Sequence, residues 1–502
     1  MQKILKNILT SRVYEAAIET PLEDSPALSK ALGNRVLLKR EDMQPIFSFK
    51  LRGAYNKIAH LNDGERAKGV IAASAGNHAQ GVAYSARQLG IEATIVMPVT
   101  TPAIKVSAVQ RLGGQVILHG DNYSEAAERC DELVAETGMT FIHPFDDELV
   151  IAGQGTVADE LLRQSSGKMD VVFVPVGGGG LIAGMAAYLK QLCPEVRIVG
   201  VEPVDSDAMA RSLAAGERVK LDSVGIFADG VAVREVGRLT FDICRKHVDE
   251  IICVDIDEIC SGIKSAYQAT RTIVEPAGAL ALAGLKKYVR ERGVTDQTLV
   301  AINSGANMNF DRLRYVAERT MIGEKQEALF AVSIPETPGS LRRFCRELVG
   351  DRNITEFNYR LASRDAAHIF VGISVRDEEE RFAFSRLLIE QGYGCIDLTE
   401  NELAKTHIRH MVGGRSTQTC GERLFRFWFP ERPGALSRFL ETMGAGWNIS
   451  LFHYRTQGSD FGRVLIGLEI AEGQDDALLH FLDSLGYRYV EETDNSAYHL
   501  FL

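Results

Sequence analysis

The sequence predicts an α/β fold with parallel sheets in residues 1–320, followed by two small α+β modules of the ferredoxin-like type. From about Val36 to Asn307, short apolar runs alternate with longer stretches of helical periodicity, which is typical of parallel sheets covered by helices on both faces. After about Thr320 the sequence repeats itself, which indicates a duplicated module. The length of 502 residues agrees with several domains, because single cores rarely grow beyond about 250–300 residues.

Apolar runs rich in β-branched residues predict buried strands at Val36–Leu38, Val70–Ala73, Ala93–Met97, Gln115–Leu118, Val171–Val176, Ile198–Val201 and Leu299–Ile302. Helical periodicity predicts helices between them, for example at His78–Leu89 and Ile182–Leu192. The length exceeds one doubly wound layer. We therefore expect two sheets in a domain of residues 1–320, with a smaller inserted subdomain at about residues 40–150.

The last part of the chain contains the repeat. Ile334–Phe344 returns as Phe429–Phe439, and Asn353–Arg360 returns as Asn448–Arg455, so both blocks are offset by 95 residues. Two blocks at one offset are hard to obtain by chance. Each copy predicts a strand, a Pro-Gly turn, a helix, two strands and a second helix, a βαββα unit. The predicted modules span residues 326–412 and 420–502.

Composition excludes several classes of protein. The net charge of −11 argues against a nucleic-acid partner, because no basic patch offsets it. No apolar run approaches the roughly 18 residues of a membrane span, and the start has no signal-peptide pattern. The eight cysteines are scattered without a Cys-x-x-Cys pair, so we expect neither disulfides nor a metal site. The expected location is the cytoplasm.

Lys50 lies among aromatic and aliphatic side chains in the run Pro45–Tyr55, with apolar and polar residues alternating through Phe47–Arg52. This pattern predicts an ammonium group held against apolar neighbours. Burial disfavours the charged form and lowers a lysine pKa, which frees an amine that can form a Schiff base with a carbonyl. For a lysine in isolation, an amphipathic segment with the amine in solvent is the simpler interpretation.

A first candidate loop consists of Ser74, Ala75, Gly76, Asn77 and His78, which follow a buried strand and open a helix. Free N–H groups at a helix start bind anions such as a carboxylate or a phosphate. Asn77 is a candidate donor to a phenolate oxygen. His78 is either an acid–base group or, as its place in the first helical turn favours, an orienting one.

A second candidate loop consists of Gly177, Gly178, Gly179, Gly180 and Leu181, between a strand and a helix. Four glycines offer a backbone nest for a phosphate, whereas a plain tight turn explains only one or two of them. The spacing fits neither the dinucleotide fingerprint nor a nucleotide P-loop. Ser304 follows the strand Leu299–Ile302 and is predicted to face the ligand crevice, although taken singly it is equally a helix N-cap.

A reactive lysine, an anion-binding helix start, a glycine nest and a crevice serine together fit pyridoxal phosphate. At these residues the chain resembles the biosynthetic threonine dehydratases of fold type II, the tryptophan-synthase-β-like group. The resemblance runs from about Val13 to the end, since the doubled module is also this family's pattern. The matching motifs are Ser48-Phe49-Lys50-Leu51-Arg52-Gly53-Ala54, Ser74-Ala75-Gly76-Asn77-His78, Gly177–Leu181, Glu275-Pro276-Ala277-Gly278-Ala279 and Ser304-Gly305-Ala306-Asn307.

The resemblance implies a role for each candidate. Lys50 would hold the cofactor, Asn77 would contact its ring hydroxyl, and the backbone of Gly177–Leu181 would bind its phosphate. Ser304 would meet the ring nitrogen, where a neutral partner favours expulsion of a β-leaving group over transamination. The Ser74–His78 loop would grip the carboxylate of L-threonine, which is converted to 2-oxobutanoate and ammonia.

The repeated modules resemble ACT-like regulatory domains, which bind small amino acids near the Pro-Gly turn. The resemblance implies inhibition by isoleucine, opposition by valine and a homotetramer, with effector candidates Gly339, Leu341, Gly434 and Leu436. Alternatively, the modules only build an oligomer interface. A serine dehydratase or serine racemase on the same scaffold, and a non-catalytic amino-acid sensor, are the rival functions. The doubled module argues against the first pair, and the intact Lys50 and Ser304 argue against the sensor.

Overall fold

The computed structural model describes residues 2–335, 344, 352, 354–360, 366–410, 421–430, 439, 442, 447–455 and 461–501. The chain divides into two compact units, Met1–Val316 and Ala317–Leu502. Across the described residues, every helix is too short or too polar to span a membrane.

The first unit alternates strands and helices. Its strands are β1 (Leu22–Asp24), β2 (Arg35–Arg40), β3 (Val70–Ala73), β4 (Ala93–Met97), β5 (Gln115–Leu118), β6 (Thr140–Phe141), β7 (Val171–Pro175), β8 (Arg197–Pro203), β9 (Glu250–Val254) and β10 (Thr298–Asn303). Its helices are α1 (Gln2–Leu9), α2 (Pro26–Leu32), α3 (Lys50–Ala59), α4 (Asp63–Lys68), α5 (Asn77–Gln88), α6 (Ala103–Arg111), α7 (Tyr123–Thr137), α8 (Glu148–Gln164), α9 (Gly180–Leu192), α10 (Ala208–Ala215), α11 (Arg238–His247), α12 (Ile256–Thr270) and α13 (Pro276–Arg292), and α14 (Arg312–Gly323) begins in it.

Two sheets organise this unit. The larger has the order β1-β2-β10-β7-β8-β9 and is parallel except for the β1–β2 pair. The smaller has the order β5-β4-β3-β6 and is parallel throughout. Fully buried strands such as β7 (Val171–Pro175) and β3 (Val70–Ala73) agree with helices covering both faces. The predicted α/β class with two parallel sheets is confirmed.

Every predicted strand of this unit exists, and the patterns missed β1, β6 and β9. β1 and β6 have only three and two residues, which is too short for a period to be read. β9 (Glu250–Val254) is an edge strand that starts with a half-buried glutamate, so it lacks the continuous apolar character of the central strands.

The second unit contains two antiparallel sheets. Its strands are β11 (Glu327–Pro335), β12 (Ile354–Arg360), β13 (Ala366–Ser374), β14 (Gly394–Asp397), β15 (Glu422–Pro430), β16 (Asn448–Arg455), β17 (Phe461–Glu469) and β18 (Tyr489–Glu491). Its helices include α15 (Glu378–Glu390), α16 (Glu402–Thr406), α17 (Asp475–Leu485) and α18 (Ser496–Phe501). The sheet orders are β12-β13-β11-β14 and β16-β17-β15-β18, so the two copies share one topology.

The predicted βαββα order is wrong at its end, because a further strand follows the last helix in each copy. These strands, β14 (Gly394–Asp397) and β18 (Tyr489–Glu491), have four and three residues, too few to show alternation. The predicted first helix and the Pro-Gly turns lie largely outside the described residues. Both copies shift register at the same place, between Ile354 and Glu356 in β12 and between Ile449 and Leu451 in β16.

The two modules share a core within the second unit. Leu329 and Phe370 of the first module pack in one buried cluster with Leu424 and Leu465 of the second. Polar contacts reinforce this packing, since Glu402 of α16 (Glu402–Thr406) binds Arg463 of β17 (Phe461–Glu469) at 2.6 Å.

Candidate active site

A cleft opens within the first unit, beyond the carboxyl ends of β7 (Val171–Pro175) and β10 (Thr298–Asn303). Parallel α/β sheets bind their ligands at this edge. Its lining consists of Phe49, Lys50, Asn77, Phe145, Pro175, Gly177, Gly178, Gly179, Gly180, Leu181, Gly230, Val231, Glu275, Ala277 and Ser304. The structure therefore brings together Lys50, Asn77, the glycine loop and Ser304, which are far apart in the sequence.

Lys50 is the first residue of α3 (Lys50–Ala59). Its Nζ donates a hydrogen bond to the Pro144 carbonyl at 2.9 Å and lies 5.4 Å from the centroid of the Phe49 ring. Burial lowers the pKa of Lys50 to about 8, because the low-dielectric surroundings disfavour the ammonium form. About a tenth of the amine is therefore unprotonated at pH 7, far more than for a lysine with the ordinary pKa of about 10.4.

The alternation predicted for Phe47–Arg52 is wrong. Phe47 has a φ of 57° and is 56% exposed, while Arg52 is fully buried and ion-paired with Glu41 and Glu160 at 2.7 and 2.6 Å. The chain turns at Phe47 and begins a helix at Lys50, so no strand period exists here. Lys50 is desolvated because it lies inside the cleft as the first residue of α3 (Lys50–Ala59).

The lysine segment is pinned to the serine segment. Ser48 and Gly305 form an isolated antiparallel bridge, with Phe49 N–H donating to the Ser304 carbonyl at 3.2 Å and Ala306 N–H donating to the Phe47 carbonyl at 2.9 Å. These backbone bonds fix Lys50 and Ser304 relative to each other. Two motifs that are distant in sequence thus form one local structure.

The glycine loop presents unsatisfied backbone donors. Among the described residues, the N–H groups of Gly177, Gly178, Gly179, Gly180 and Leu181 donate to no protein acceptor. The loop leads into the N-terminus of α9 (Gly180–Leu192), where the helix dipole adds partial positive charge. Such a concavity of N–H groups at a helix start binds a phosphate.

The glycines are also required by packing. A Cβ at Gly178 would overlap the Phe145 ring, and a Cβ at Gly180 would lie 2.5 Å from Gln154 Oε1. Gly179 has a φ of 93°, which side chains rarely adopt. Close packing therefore explains why these positions are glycines even without a ligand. The N–H groups that lack an acceptor among the described residues are the observation that favours a phosphate site.

The Ser74–His78 loop leads into α5 (Asn77–Gln88). Asn77 lines the cleft, whereas Ser74, Ala75, Gly76 and His78 do not. Apart from its chain neighbours, no atom of the described residues lies within 4 Å of a Cβ built at Gly76, so this loop has room for a ligand against its backbone. Asn77 Nδ2 donates to Glu275 Oε1 at 2.5 Å, and Asn77 Oδ1 accepts from Asn307 Nδ2 at 2.7 Å.

His78 is held as a neutral ring. Its Nε2–H donates to the Ile142 carbonyl at 2.7 Å, and burial together with the nearby Lys50 lowers the pKa of His78 to about 3. Nδ1 has no hydrogen-bond partner among the described residues. A histidine with such a low pKa orients the loop and does not exchange protons at neutral pH.

Ser304 lies at the carboxyl end of β10 (Thr298–Asn303), as the sequence predicts. It is 3% exposed, and its Oγ donates to the Ala277 carbonyl at 3.4 Å. This long bond leaves the hydroxyl able to turn toward a ring nitrogen in the cleft.

Sequence reasoning missed the segment between His143 and Asp147. Pro144 accepts from Lys50, and the Phe145 ring covers the glycine loop. Asp146 accepts from the N–H groups of Arg238 and Leu239 at 2.9 and 2.8 Å and thereby caps α11 (Arg238–His247). Asp146 and Asp147 precede the apolar pattern of α8 (Glu148–Gln164), and aspartates at this place are an N-cap signal. The signal marks the start of α8 but does not show that this segment lies in the cleft.

In the sequence Glu275 stands out only as the first residue of the motif Glu275–Ala279, and the structure places it in the cleft. It is 5% exposed, and burial and the charge of Asp229 raise its pKa to about 7. Burial alone would also raise the pKa of Asp229, but Lys105 at 2.5 Å and Arg312 at 3.6 Å hold it well below its usual range. The sequence signal at Glu275 is an acidic residue directly before Pro276, the first residue of α13 (Pro276–Arg292). This pattern marks a helix start.

The residues of the cleft fit pyridoxal phosphate. The cofactor requires an amine for its carbonyl, donors for its phosphate, a partner for its ring nitrogen and a donor for its ring oxygen. Lys50, the acceptor-free N–H groups of Gly177–Leu181, Ser304 and Asn77 supply these four functions from one cleft.

Comparison with protein families gives two matches. A family described as pyridoxal-phosphate dependent enzymes matches residues 13–305. The C-terminal regulatory domain of threonine dehydratase matches twice, over residues 318–408 and 413–502. The second match confirms the duplicated module predicted from the 95-residue offset.

Individual relatives agree. A biosynthetic L-threonine dehydratase of Burkholderia multivorans is 56% identical over 501 residues, 99% of either chain. The solved processed form of threonine deaminase isoform 2 from Solanum lycopersicum is 49% identical with a TM-score of 0.62, covering 63% of this chain and 87% of that one. The solved threonine deaminase of T.th. is 40% identical with a TM-score of 0.58, covering 62% of this chain and 99% of that one. The chain therefore belongs to the biosynthetic threonine dehydratases, a family of pyridoxal-phosphate-dependent enzymes.

Proposed function

We propose that this protein converts L-threonine to 2-oxobutanoate and ammonia with pyridoxal phosphate, the first committed step of isoleucine biosynthesis, and that serine is an alternative substrate. One observation carries the proposal beyond family membership. The Lys50 amine, with its lowered pKa, shares a cleft with the five acceptor-free N–H groups of Gly177–Leu181. A reactive amine and a phosphate seat in one cleft suit one cofactor.

Each residue has a role toward the cofactor in this proposal. Lys50 would hold it through its carbonyl carbon, and Gly177–Leu181 would bind its phosphate. Ser304 would meet its ring nitrogen, and Asn77 would donate to its ring oxygen. Once bound, the cofactor supplies an electron sink for negative charge at the substrate Cα. Because Ser304 is neutral, it does not enforce a charged ring nitrogen, which favours loss of the β-hydroxyl.

Lys50 then acts as the proton carrier. With threonine bound in the cleft, the Lys50 Nζ would take the proton from the substrate Cα. The Pro144 carbonyl, 2.9 Å from Nζ, accepts a hydrogen bond from the amine and keeps it inside the cleft. A base with a pKa of about 8 can take up and release a proton near neutral pH. The aminocrotonate formed by loss of the hydroxyl would tautomerise to an imine, and water would hydrolyse this imine to 2-oxobutanoate and ammonia.

The Ser74–His78 loop is proposed to bind the substrate carboxylate. The N-terminus of α5 (Asn77–Gln88) favours negative charge, and the open space beside Gly76 supports close approach of a ligand. The neutral His78 ring, bonded to the Ile142 carbonyl, would hold the loop in shape.

The regulatory part of the proposal concerns the second unit. We propose that isoleucine inhibits the enzyme and that valine opposes this inhibition. We also propose that the enzyme acts as a cytoplasmic homotetramer. The two matches to the regulatory domain of threonine dehydratase support amino-acid control. The predicted effector residues Gly339, Leu341, Gly434 and Leu436 lie outside the described residues. The unit boundary between Val316 and Ala317 supports the proposed catalytic domain of residues 1–320, with modules at 326–412 and 420–502.

A steady-state assay tests the function. Initial rates of 2-oxobutanoate and pyruvate formation would be measured with threonine and with serine, each with and without isoleucine. We expect a higher kcat/KM for threonine and inhibition by isoleucine, and Lys50→Ala should abolish both activities. Preference for serine without any response to isoleucine would instead identify a serine dehydratase, and racemised serine without pyruvate a racemase.

A further inference from the structure

Glu275 and Asn307 hold the Asn77 side chain from both ends. Asn77 Nδ2 donates to Glu275 Oε1 at 2.5 Å, and Asn77 Oδ1 accepts from Asn307 Nδ2 at 2.7 Å. Asn307 is itself anchored, because its Nδ2 also donates to the Ile46 carbonyl at 2.8 Å. The Asn77 amide is therefore fixed in one orientation by a donor and an acceptor from two other segments.

Glu275 lies against Gly305, where a side chain would collide with its carboxyl group. A Cβ at Gly305 would lie 2.5 Å from Glu275 Oε1, and a Cβ at Gly278 would overlap the Gly305 carbonyl. The Glu275 N–H donates to that same carbonyl at 3.1 Å. Gly305 thus leaves room for the carboxyl group, and Gly278 leaves room for the Gly305 carbonyl that accepts from the Glu275 N–H.

Among the described residues, the clamp occupies only one of the two Nδ2 donors of Asn77. An asparagine amide carries two Nδ2 hydrogens, and Glu275 takes one of them. A rotated amide would set Oδ1 against the carboxylate and Nδ2 against the Asn307 donor, so both contacts would become repulsive. The remaining Nδ2 hydrogen is available to an acceptor in the cleft.

We propose that Glu275 and Asn307 are positioning residues that orient the Asn77 amide toward the ring oxygen of the cofactor. This inference rests on the proposed function, because it assumes that pyridoxal phosphate binds in the cleft. It explains why the Glu275, Asn77 and Asn307 motifs, far apart in sequence, meet at one point. The cofactor oxygen is anionic, and an amide presenting Oδ1 would repel it.

The ionised form of Glu275 is the one that enforces the orientation. A protonated carboxyl group can also donate, and could then accept the rotated amide as a partner. Burial and Asp229 raise the pKa of Glu275 to about 7, while Asn77, Lys105 and Arg312 act in the opposite direction. The clamp should therefore tighten as the pH rises through about 7 and loosen as it falls.

The test is the dissociation constant of pyridoxal phosphate for cofactor-free enzyme between about pH 6 and 8.5, a range that brackets the titration of Glu275, with the absorption maximum of the complex. Wild type would be compared with Glu275→Gln, Glu275→Leu and Asn307→Leu. Glutamine does not titrate and, like the protonated acid, offers both a donor and an acceptor, so the ratio of wild-type to Glu275→Gln dissociation constants should fall with rising pH around a midpoint near 7. The titrations of Lys50 and of the phosphate cancel in this ratio.

Above this midpoint we expect Glu275→Gln to bind about 3- to 10-fold more weakly than wild type, and both leucine variants about 10- to 100-fold more weakly with a shifted absorption maximum. A ratio that stays constant with pH would overturn the inference, as would leucine variants that bind and absorb like wild type. The isosteric glutamine variant decides the matter even if a leucine variant misfolds. Wild type that forms no coloured complex would instead refute the proposed function.

Discussion

Lys50 shows how one residue acquires reactivity from its position. Its amine contacts the Pro144 carbonyl and the Phe49 ring, and among the described residues no carboxylate is bonded to it. Lys57 of the same helix differs in its surroundings, because its Nζ pairs with Asp147 at 2.7 Å and its side chain is partly exposed. Burial without a bonded carboxylate among the described residues is what lowers the pKa of Lys50.

The pKa of Lys50 predicts how cofactor attachment depends on pH. Only the unprotonated amine attacks the carbonyl, so the attachment rate should rise through a midpoint near 8, whereas an ordinary lysine would show about 10.4. Stopped-flow absorbance of cofactor-free enzyme mixed with pyridoxal phosphate measures this rate. Lys57→Arg should leave the profile unchanged, and Lys50→Arg should abolish the coloured complex. A midpoint at the value of an ordinary lysine would contradict the assignment.

Helix α3 (Lys50–Ala59) is held in place by buried charges. Arg52, near the start of this helix, bonds to Glu41 and to Glu160 of α8 (Glu148–Gln164), all three side chains being fully buried. Lys39 of β2 (Arg35–Arg40) completes the cluster by binding Glu160 at 2.6 Å. The helix that carries Lys50 is thus tied to a strand and to a second helix, which keeps the amine at a fixed place in the cleft.

Breaking this cluster should destabilise the first unit. Arg52→Met leaves two buried carboxylates with one lysine, and removing one partner of a buried pair costs about 3–5 kcal/mol. Arg35→Met is the matched control, because its pair with Asp24 is exposed and such pairs contribute about 0–1 kcal/mol. Urea unfolding followed by cofactor absorbance measures the first unit.

The two tryptophans provide an internal reference for this experiment. Trp428 and Trp447 both lie in the second unit, so tryptophan fluorescence reports its unfolding separately. We expect Arg52→Met to lower the urea midpoint of cofactor absorbance and to leave the fluorescence midpoint in place. Equal shifts for Arg52→Met and Arg35→Met would show that the buried cluster adds no stability.

At the level of elements, the sequence predicts what is long and apolar. The central strands β3 (Val70–Ala73) and β4 (Ala93–Met97) agree with their predicted bounds, because buried parallel strands are continuous apolar runs. The short strands β14 (Gly394–Asp397) and β18 (Tyr489–Glu491) were missed, since their existence depends on pairing with β11 and β15. Tertiary pairing, not local pattern, makes them strands.

The candidate site divides in the same way. Lys50, the glycine loop and Ser304 are visible because each is an unusual residue beside an element of regular structure. Phe145 and Glu275 contribute through contacts with distant segments, such as the Glu275 bond to Asn77 across 198 residues. No local pattern encodes such a contact. The sequence identifies Lys50 through the motif Ser48–Ala54. The alternation of apolar and polar residues, which predicts its burial, is wrong because Lys50 begins a helix.

The whole molecule combines one catalytic fold with a duplicated regulatory module. The duplication is preserved in detail, since Ile354 and Ile449 begin the same register shift 95 residues apart. The copies are nevertheless not independent, because Phe370 and Leu465 lie in one shared buried cluster. A single copy would expose this apolar surface, so the pair forms one structural unit.

This organisation predicts that regulation can be removed without removing catalysis. The solved threonine deaminase of T.th. corresponds over 99% of its length to only 62% of this chain, so a catalytic unit of this kind exists without the modules. We therefore expect a chain that ends after Gly323, the last residue of α14 (Arg312–Gly323), to bind pyridoxal phosphate and to dehydrate threonine.

Isoleucine should have no effect on that shortened chain. In the full-length enzyme we expect isoleucine to weaken apparent threonine affinity by about 5- to 150-fold, the range of a coupling free energy of about 1–3 kcal/mol. Initial rates over a grid of threonine and isoleucine concentrations measure the coupling in both proteins. Because coupling is reciprocal, threonine should weaken isoleucine binding to the full-length enzyme by the same factor. Equal inhibition of both proteins would place the isoleucine site in the catalytic unit and refute regulation by the modules.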